Sequence, residues 1–296
     1  YIKEAIEDGY KRLLFPSIER EIRTELTDKA HEQAINVFSL NLEQLLLTPP
    51  LKNRVILGLD PAFRTGCKLA VINLNGDFIY KDVIYPHEKS VGEIVSDERK
   101  EASEHKLVTI VRKYNVELIA IGNGTATKES EIFVANLIKD CPRKVTYAVV
   151  NEAGASVYSA SKLGAAEFPE YDVALRSAVS IARRLQDPLA ELIKIDVKSI
   201  GVGQYQHDMP QNRLTEVLDG VVENCVNTVG VDVNTASPSL LSFVAGLNST
   251  VAKNIEKYRQ TNGAFKNKSE LKKVSKLGDK AYEQCAGFLR IVDGDN

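Results

Sequence analysis

The chain has no tryptophan, one methionine, and only four cysteines and four histidines among its 296 residues. The cysteines (Cys67, Cys141, Cys225, Cys285) are scattered and form no C-x-x-C, which excludes a zinc knuckle and a disulfide framework as organising features. Reduced thiols of a cytoplasmic protein are expected. His207, in Gln204-Tyr-Gln-His207-Asp208, has no second histidine at ligand spacing, so a hydrogen-bonded structural role is expected and no metal. No apolar run approaches the length of a membrane span, and no signal peptide is visible. Gly122-Asn-Gly124-Thr125 lacks the Lys-Ser/Thr of a P-loop and the full G-x-G-x-x-G. A tight strand-to-helix turn with Thr125 or Thr127 as helix cap accounts for it, and no cofactor is expected. A formal net charge of -2 argues against a protein coated in positive charge.

What is present is a motif written twice, thirty residues apart. Val244-Ala-Gly246-Leu247-Asn248 recurs as Val274-Ser-Lys276-Leu277-Gly278, Leu241 recurs as Leu271, and Val251 as Ala281. This is a helix–hairpin–helix pattern. The turn closes one helix and opens the next, presenting backbone N–H groups and a partial positive charge to a phosphate oxygen. Two such turns suit the repeating phosphates of RNA or DNA. Charge is distributed accordingly: between Lys253 and Arg290 ten basic residues face four acidic ones, a balance of +6, which leaves the remainder at -8. The candidate nucleic-acid-binding residues are Gly246, Leu247, Asn248, Lys253, Lys276, Leu277, Gly278 and Lys280. The bland alternative is an αα-hairpin domain whose lysines form a solvated face.

Upstream the pattern predicts several units. Ile2, Ile6 and Tyr10 keep helical spacing, Pro16 breaks or restarts the run, and Ile18, Ile22 and Leu26 share a face, as do Ile35, Phe38, Leu42 and Leu45. Thr48-Pro-Pro50 marks a boundary. Three strands follow (Val55–Asp60, Lys68–Asn73, Phe78–Tyr85), the last two joined by the hairpin signal Asn75-Gly76-Asp77. Helices through Leu107–Tyr114, Ile132–Ile138 and Val173–Gln186 then alternate with strands Val116–Ile121 and Val145–Val150. The fold expected is multidomain, α/β plus all-α: a helical segment (1–50), a ribonuclease H-like mixed five-stranded sheet with flanking helices (53–187), a helical connector (188–233) interrupted by a Gly201–Asn212 loop, and a tandem helix–hairpin–helix domain (234–296).

A sheet of this order with Asp60 on its first strand poses the question of catalysis, because active members of that fold hold two divalent metals with three or four clustered carboxylates. Asp60 and Glu152 are suitably placed. The tip of the next relevant strand carries neutral Asn123, and the final helix offers Arg176, Ser177, Ser180 and Arg183 where an acid pair is needed. Asp60 and Glu152 are therefore vestigial candidates, and no catalytic activity is expected. Two alternatives stay open: a metal-dependent, structure-selective nuclease, and a protein-docking platform.

Longer motifs add a resemblance. Gly58-Leu-Asp-Pro-Ala-Phe-Arg-Thr-Gly-Cys67, Ile121-Gly-Asn-Gly-Thr125, Val150-Asn-Glu-Ala-Gly-Ala-Ser-Val-Tyr-Ser159, Ile181-Ala-Arg-Arg-Leu-Gln-Asp-Pro-Leu-Ala-Glu191, Ser199-Ile-Gly-Val-Gly-Gln-Tyr-Gln-His-Asp208, Leu218-Asp-Gly-Val-Val222 and Gln284-Cys-Ala-Gly-Phe-Leu-Arg-Ile291 resemble the Tex family of bacterial transcription accessory proteins, with its YqgF domain, from Val55 onward. The resemblance implies a cytoplasmic RNA- and DNA-binding factor whose YqgF domain has a resolvase fold without working as a nuclease. Family members continue into an OB-fold RNA-binding domain and carry a further helical N-terminal region. A chain running from Tyr1 to Asp-Gly-Asp-Asn296 is thus expected to be a piece of a longer protein, with weaker binding than the whole. Two departures stand out. Ala62 occupies a usual Gly position, and each hairpin keeps one glycine of the usual Gly-apolar-Gly. In the first, Gly246 is followed by Asn248, which tolerates a left-handed conformation; in the second, Lys276 precedes Gly278.

Overall fold

The computed structural model describes residues 1–88, 95–139, 141, 144–292 and 294; Asp293, Asp295 and Asn296 of the terminal segment lie outside the described residues. The helix-favouring start forms one long run: α1 (Ile2–Gly9), a π-helical turn (Tyr10–Leu14) and α2 (Phe15–Leu46). Pro16 does not break it. The wider turn just before the proline, closed by the Phe15 N–H donating to the Tyr10 carbonyl, takes up the crowding and missing donor that a proline brings to an α-helix. Ile18, Ile22 and Leu26 are exposed, whereas Ile35, Phe38, Leu42 and Leu46 are buried. Among the described residues no helix is long and apolar enough to cross a membrane.

The sheet contains β1 (Ile56–Asp60), β2 (Cys67–Ile72), β3 (Phe78–Ile84), β4 (Leu118–Gly122) and β5 (Thr146–Val150), in the order β3-β2-β1-β4-β5. The first three strands pair antiparallel, while β4 runs parallel to β1 and β5 parallel to β4. Alternate side chains go to opposite faces. Leu57, Leu59, Leu69 and Val71 meet Leu107, Ile110 and Val111 of α3 (Asp97–Tyr114) and Val134 of α4 (Thr127–Lys139). Ile56, Ala70, Ile72 and Ala120 meet Leu175, Ala178, Val179 and Ala182 on the other face. These four belong to α7 (Val173–Gln186), which follows two short helices the sequence pattern did not reveal, α5 (Ala155–Ala160) and α6 (Lys162–Glu167).

Beyond the sheet come α8 (Pro188–Leu192), α9 (Gln211–Val229), β6 (Val231–Asp232), α10 (Pro238–Leu241), α11 (Ser249–Asn262), α12 (Asp279–Cys285) and β7 (Leu289–Arg290), which pairs parallel to β6. One apolar core runs through this body. It joins Ile35, Phe38, Leu42 and Leu46 of α2 to Leu214, Leu218 and Val226 of α9 and to Leu241, Leu247, Leu271 and Leu277 of the doubled motif. All four cysteines are free thiols.

The sheet–helix contact most sensitive to substitution is Gly58. A Cβ there would overlap the Ala178 carbonyl oxygen and lie 3.1 Å from the Ala182 Cβ, so α7 rests on β1 backbone to backbone. Gly58→Val is expected to lower unfolding stability by at least about 2 kcal/mol, as overpacking in a rigid core does. Urea denaturation measures this; an unchanged midpoint would mean that α7 moves freely on the sheet.

Candidate nucleic-acid interface and the nuclease-like cleft

The two copies of the repeated motif adopt the same backbone path with different residues. In the first, Gly246 is left-handed (φ +81°) and Asn248 is the N-cap of α11, its Oδ1 accepting from the N–H groups of Thr250 and Val251 at 3.0 and 2.9 Å. In the second, Lys276 occupies the left-handed position (φ +66°) and Gly278 takes the N-cap place before α12, with no side-chain acceptor. Asn248, which could have tolerated a left-handed conformation, is instead extended (φ -119°), the conformation from which a capping side chain accepts from the next N–H groups. The left-handed residue of the second hairpin is a lysine.

Leu247 and Leu277 are buried, at 9% and 7% exposure, and their N–H groups donate to Val244 and Val274. Their side chains anchor the turns from beneath. Gly246 has a packing duty as well, since a Cβ there would fall 2.7 Å from the Gln284 Cβ of α12. Two asparagines that the sequence pattern did not single out brace the turns. Asn227 of α9 accepts from Ala245 N–H and donates to the Phe243 carbonyl, and Asn254 of α11 donates to the Ser275 carbonyl at 2.8 Å. Lys253, Lys276 and Lys280 are exposed and, among the described residues, form no ion pair. The hairpin surface thus presents lysines from both copies on a braced backbone.

The nuclease-like cleft lies where β1, β4 and β5 end. Asp60 is desolvated by burial and repelled by Glu152, which pushes its carboxyl up to about 6 against the opposing hydrogen bond from Ser177 of α7. Glu152 is also raised by burial, against the Gly124 N–H and the charge of Arg184. Room for its carboxylate is made by glycines. A Cβ at Gly122 or Gly124 would overlap Glu152 oxygens, so the turn expected to be a simple strand-to-helix link cradles a carboxylate of its own chain. Thr127 does not cap the helix; its hydroxyl donates to the carbonyls of Gly122 and Gly124 at 2.9 and 2.6 Å. Asn123 Oδ1 accepts from the Glu152 N–H at 2.9 Å.

From α7, Arg176 donates to the Phe168 and Ser159 carbonyls, Arg183 to the Gly76 carbonyl, and buried Arg184 to the Asn151 and Ala153 carbonyls. Ser180 is fully buried. Asp60 and Glu152 are thus close enough to interact, Asp172 at the N-cap of α7 adds a further negative charge that raises Asp60, and their polar neighbours are Ser177, Asn123 and Arg184. Among the described residues no group of three or more His, Cys, Asp or Glu is arranged to hold a metal ion.

Comparison with known proteins fits this geometry. Residues 54–186 match the Tex protein YqgF-like domain, and residues 226–290 match the helix-hairpin-helix motif. The Bacillus subtilis protein YdcI is 59% identical over 293 residues, covering 99% of this chain and 40% of that protein. Transcriptional accessory protein Tex of Neisseria gonorrhoeae is 48% identical over 298 residues, covering 99% of this chain and 38% of that protein. Human S1 RNA-binding domain-containing protein 1 is 47% identical over 290 residues, covering 97% of this chain and 28% of that protein. The chain therefore spans well under half the length of these relatives.

The Asp60 environment fixes the sign of a pH effect. A carboxyl whose folded pKa is about 6, against an ordinary 3.8, holds its proton more tightly in the folded state. The stability it contributes is present below pH 4 and is lost as pH rises through 6. Asp60→Asn is expected to be more stable than the parent at pH 8 by about 1 to 3 kcal/mol, the gain vanishing by pH 3.5. Urea denaturation across this range checks it; a destabilised variant at pH 8 would show that the ionised carboxylate is favourably partnered.

Proposed function

Since the chain belongs with the Tex proteins, sharing their YqgF-like domain and a helix–hairpin–helix motif, we propose that it is a non-catalytic, RNA- and DNA-binding scaffold of a cytoplasmic transcription accessory factor. In this reading the hairpins grip the sugar–phosphate backbone without reading base edges, so binding is tolerant of sequence and sensitive to salt. The observation that carries it is the second hairpin. A long cation, Lys276, stands at the left-handed apex where the first copy uses glycine, although glycine serves that backbone at lower cost. Exposed Lys253 and Lys280, and a segment balance of +6 on an otherwise acidic chain, support the same surface. Contact falls to the lysines and the backbone around Gly246, Asn248 and Gly278, with Leu247 and Leu277 holding the turns from within. The working units are 1–50, 53–187, 188–233 and 234–296, the outer three bound by their common core.

The absence of catalysis in this proposal rests on what α7 brings to the cleft: Ser177 hydrogen-bonded to Asp60, Arg184 beside Glu152, and an acid, Asp172, engaged as the helix N-cap. One observation favours the nuclease alternative: the Glu152 Oε2 is buried without a hydrogen-bond partner beside Asp60. Cleavage of a branched DNA in Mg²⁺ or Mn²⁺ that Asp60→Asn abolishes would establish that alternative, and intact substrate after long incubation would end it. Contact with the transcription machinery is supported by the exposed apolar stripe of the long helix, from Ile6 to Leu26.

Lys276→Glu combined with Lys280→Glu tests the main proposal. Glutamate tolerates the same backbone as lysine, so folding is expected to be unchanged. Binding of a single-stranded oligonucleotide should weaken, and the slope of log K against log salt should flatten by roughly 1.4, about 0.7 for each lost phosphate contact on a single strand. An unaltered slope, read by fluorescence anisotropy, would move the binding surface elsewhere.

A further inference from the structure

We propose that Tyr205 is a stacking platform for an unpaired nucleobase, a second contact that rests on the nucleic-acid reading and lies away from the hairpins. Tyr205 has left-handed backbone angles (φ 58°, ψ 30°), a conformation that disfavours an aromatic side chain and that glycine would relieve. The loop imposes it by many independent ties. The Tyr205 carbonyl accepts from Asp208 N–H, Gln206 Nε2 donates to the Gly203 carbonyl, and Gln211 Nε2 donates to the Gln206 and Met209 carbonyls at 2.7 and 3.0 Å. Asn41 of α2 clamps the Val202 carbonyl at 2.9 Å, and Gly203 lies so close to the Phe38 ring that a Cβ there would overlap it.

All this rigidity presents a largely exposed ring. Tyr205 is 68% exposed, and its neighbouring ring is that of His207, 6.3 Å away and itself exposed beside Asp208. Strain held by its surroundings and spent on an exposed side chain marks a contact site. The chemistry around the ring selects the ligand. Tyr205 is flanked by the uncharged amides Gln204 and Gln206, with no lysine or arginine between Gly201 and Asn212, so the loop suits a base rather than a phosphate. An aromatic face stacks any base and demands that the base be unpaired. Position agrees: the loop leads into α9, whose far end braces the first hairpin through Asn227. The nineteen-residue α9 that lies between them is about 28 Å long, a span suited to several nucleotides of one strand.

The lack of tryptophan supplies the test. Tyr205→Trp places a single tryptophan at the site. Titration of this chain with a 16-nucleotide single-stranded DNA is expected to quench its emission, saturating at the concentration where anisotropy saturates. Tyr205→Gly should fold at least as stably as the parent, bind the single strand roughly tenfold more weakly, and bind the matching duplex unchanged. Single-strand binding by anisotropy with an unquenched tryptophan, or with a Tyr205→Gly variant equal to the parent, overturns the Tyr205 assignment alone. Absence of binding by the parent to any nucleic acid overturns the reading beneath it as well.

Discussion

The hairpin turns keep their shape because Leu247 and Leu277 are drawn into the core that also receives Leu42 of α2 and Leu218 and Val226 of α9. Each such burial contributes roughly 1.5 to 3 kcal/mol, far more than any surface lysine gains from a neighbour. The β6–β7 pair closes the same body: the Val231 and Val233 N–H groups donate to the Phe288 and Arg290 carbonyls and tie the last residues to the end of α9. Turns ordered before a ligand arrives lose little entropy on binding. The lysines supply charge, and the leucines fix where that charge stands.

The sheet unit is coupled to this body through Tyr158 and Leu163, which join its apolar core, and through buried polar contacts. Lys194 donates to Glu167 at 3.0 Å and to Glu191 at 2.9 Å, and the Tyr158 hydroxyl donates to Glu167. Burial pushes Glu167 upward, but Lys194, Tyr158 and Arg183 together hold its carboxyl below the ordinary range. Breaking one member would strand a buried charge, so the network favours one orientation of sheet and helical body. Within the sheet unit, α7 shapes the Asp60 cleft: it delivers Ser177 to Asp60 and, through Arg184, pins the loop that carries Glu152.

Much of this was legible in the sequence because the signals were periodic or local. The Asn75-Gly76 turn, the apolar strand runs and the helix from Val173 to Gln186 each follow from neighbours in the chain, and the spacing of Leu241 to Leu271 marked the repeat. Effects set by tertiary contact were not legible. Nothing local shows that Pro16 sits against a π turn, that Asn248 caps while Lys276 turns left-handed, or that Gly122 and Gly124 make room for Glu152. Leu247 and Leu277 were expected at the ligand because their motif is; their burial follows from α2 and α9, more than twenty residues upstream. Tyr205 stood in a motif with no chemical signature until its backbone and exposure were known.

The measurement that bears most directly on function is anisotropy of this chain with single-stranded RNA, single-stranded DNA and duplex DNA across a series of salt concentrations. A phosphate-gripping hairpin surface requires binding that falls steeply and linearly in log K against log salt, with little dependence on sequence. No binding at low salt, or binding indifferent to salt, would contradict it.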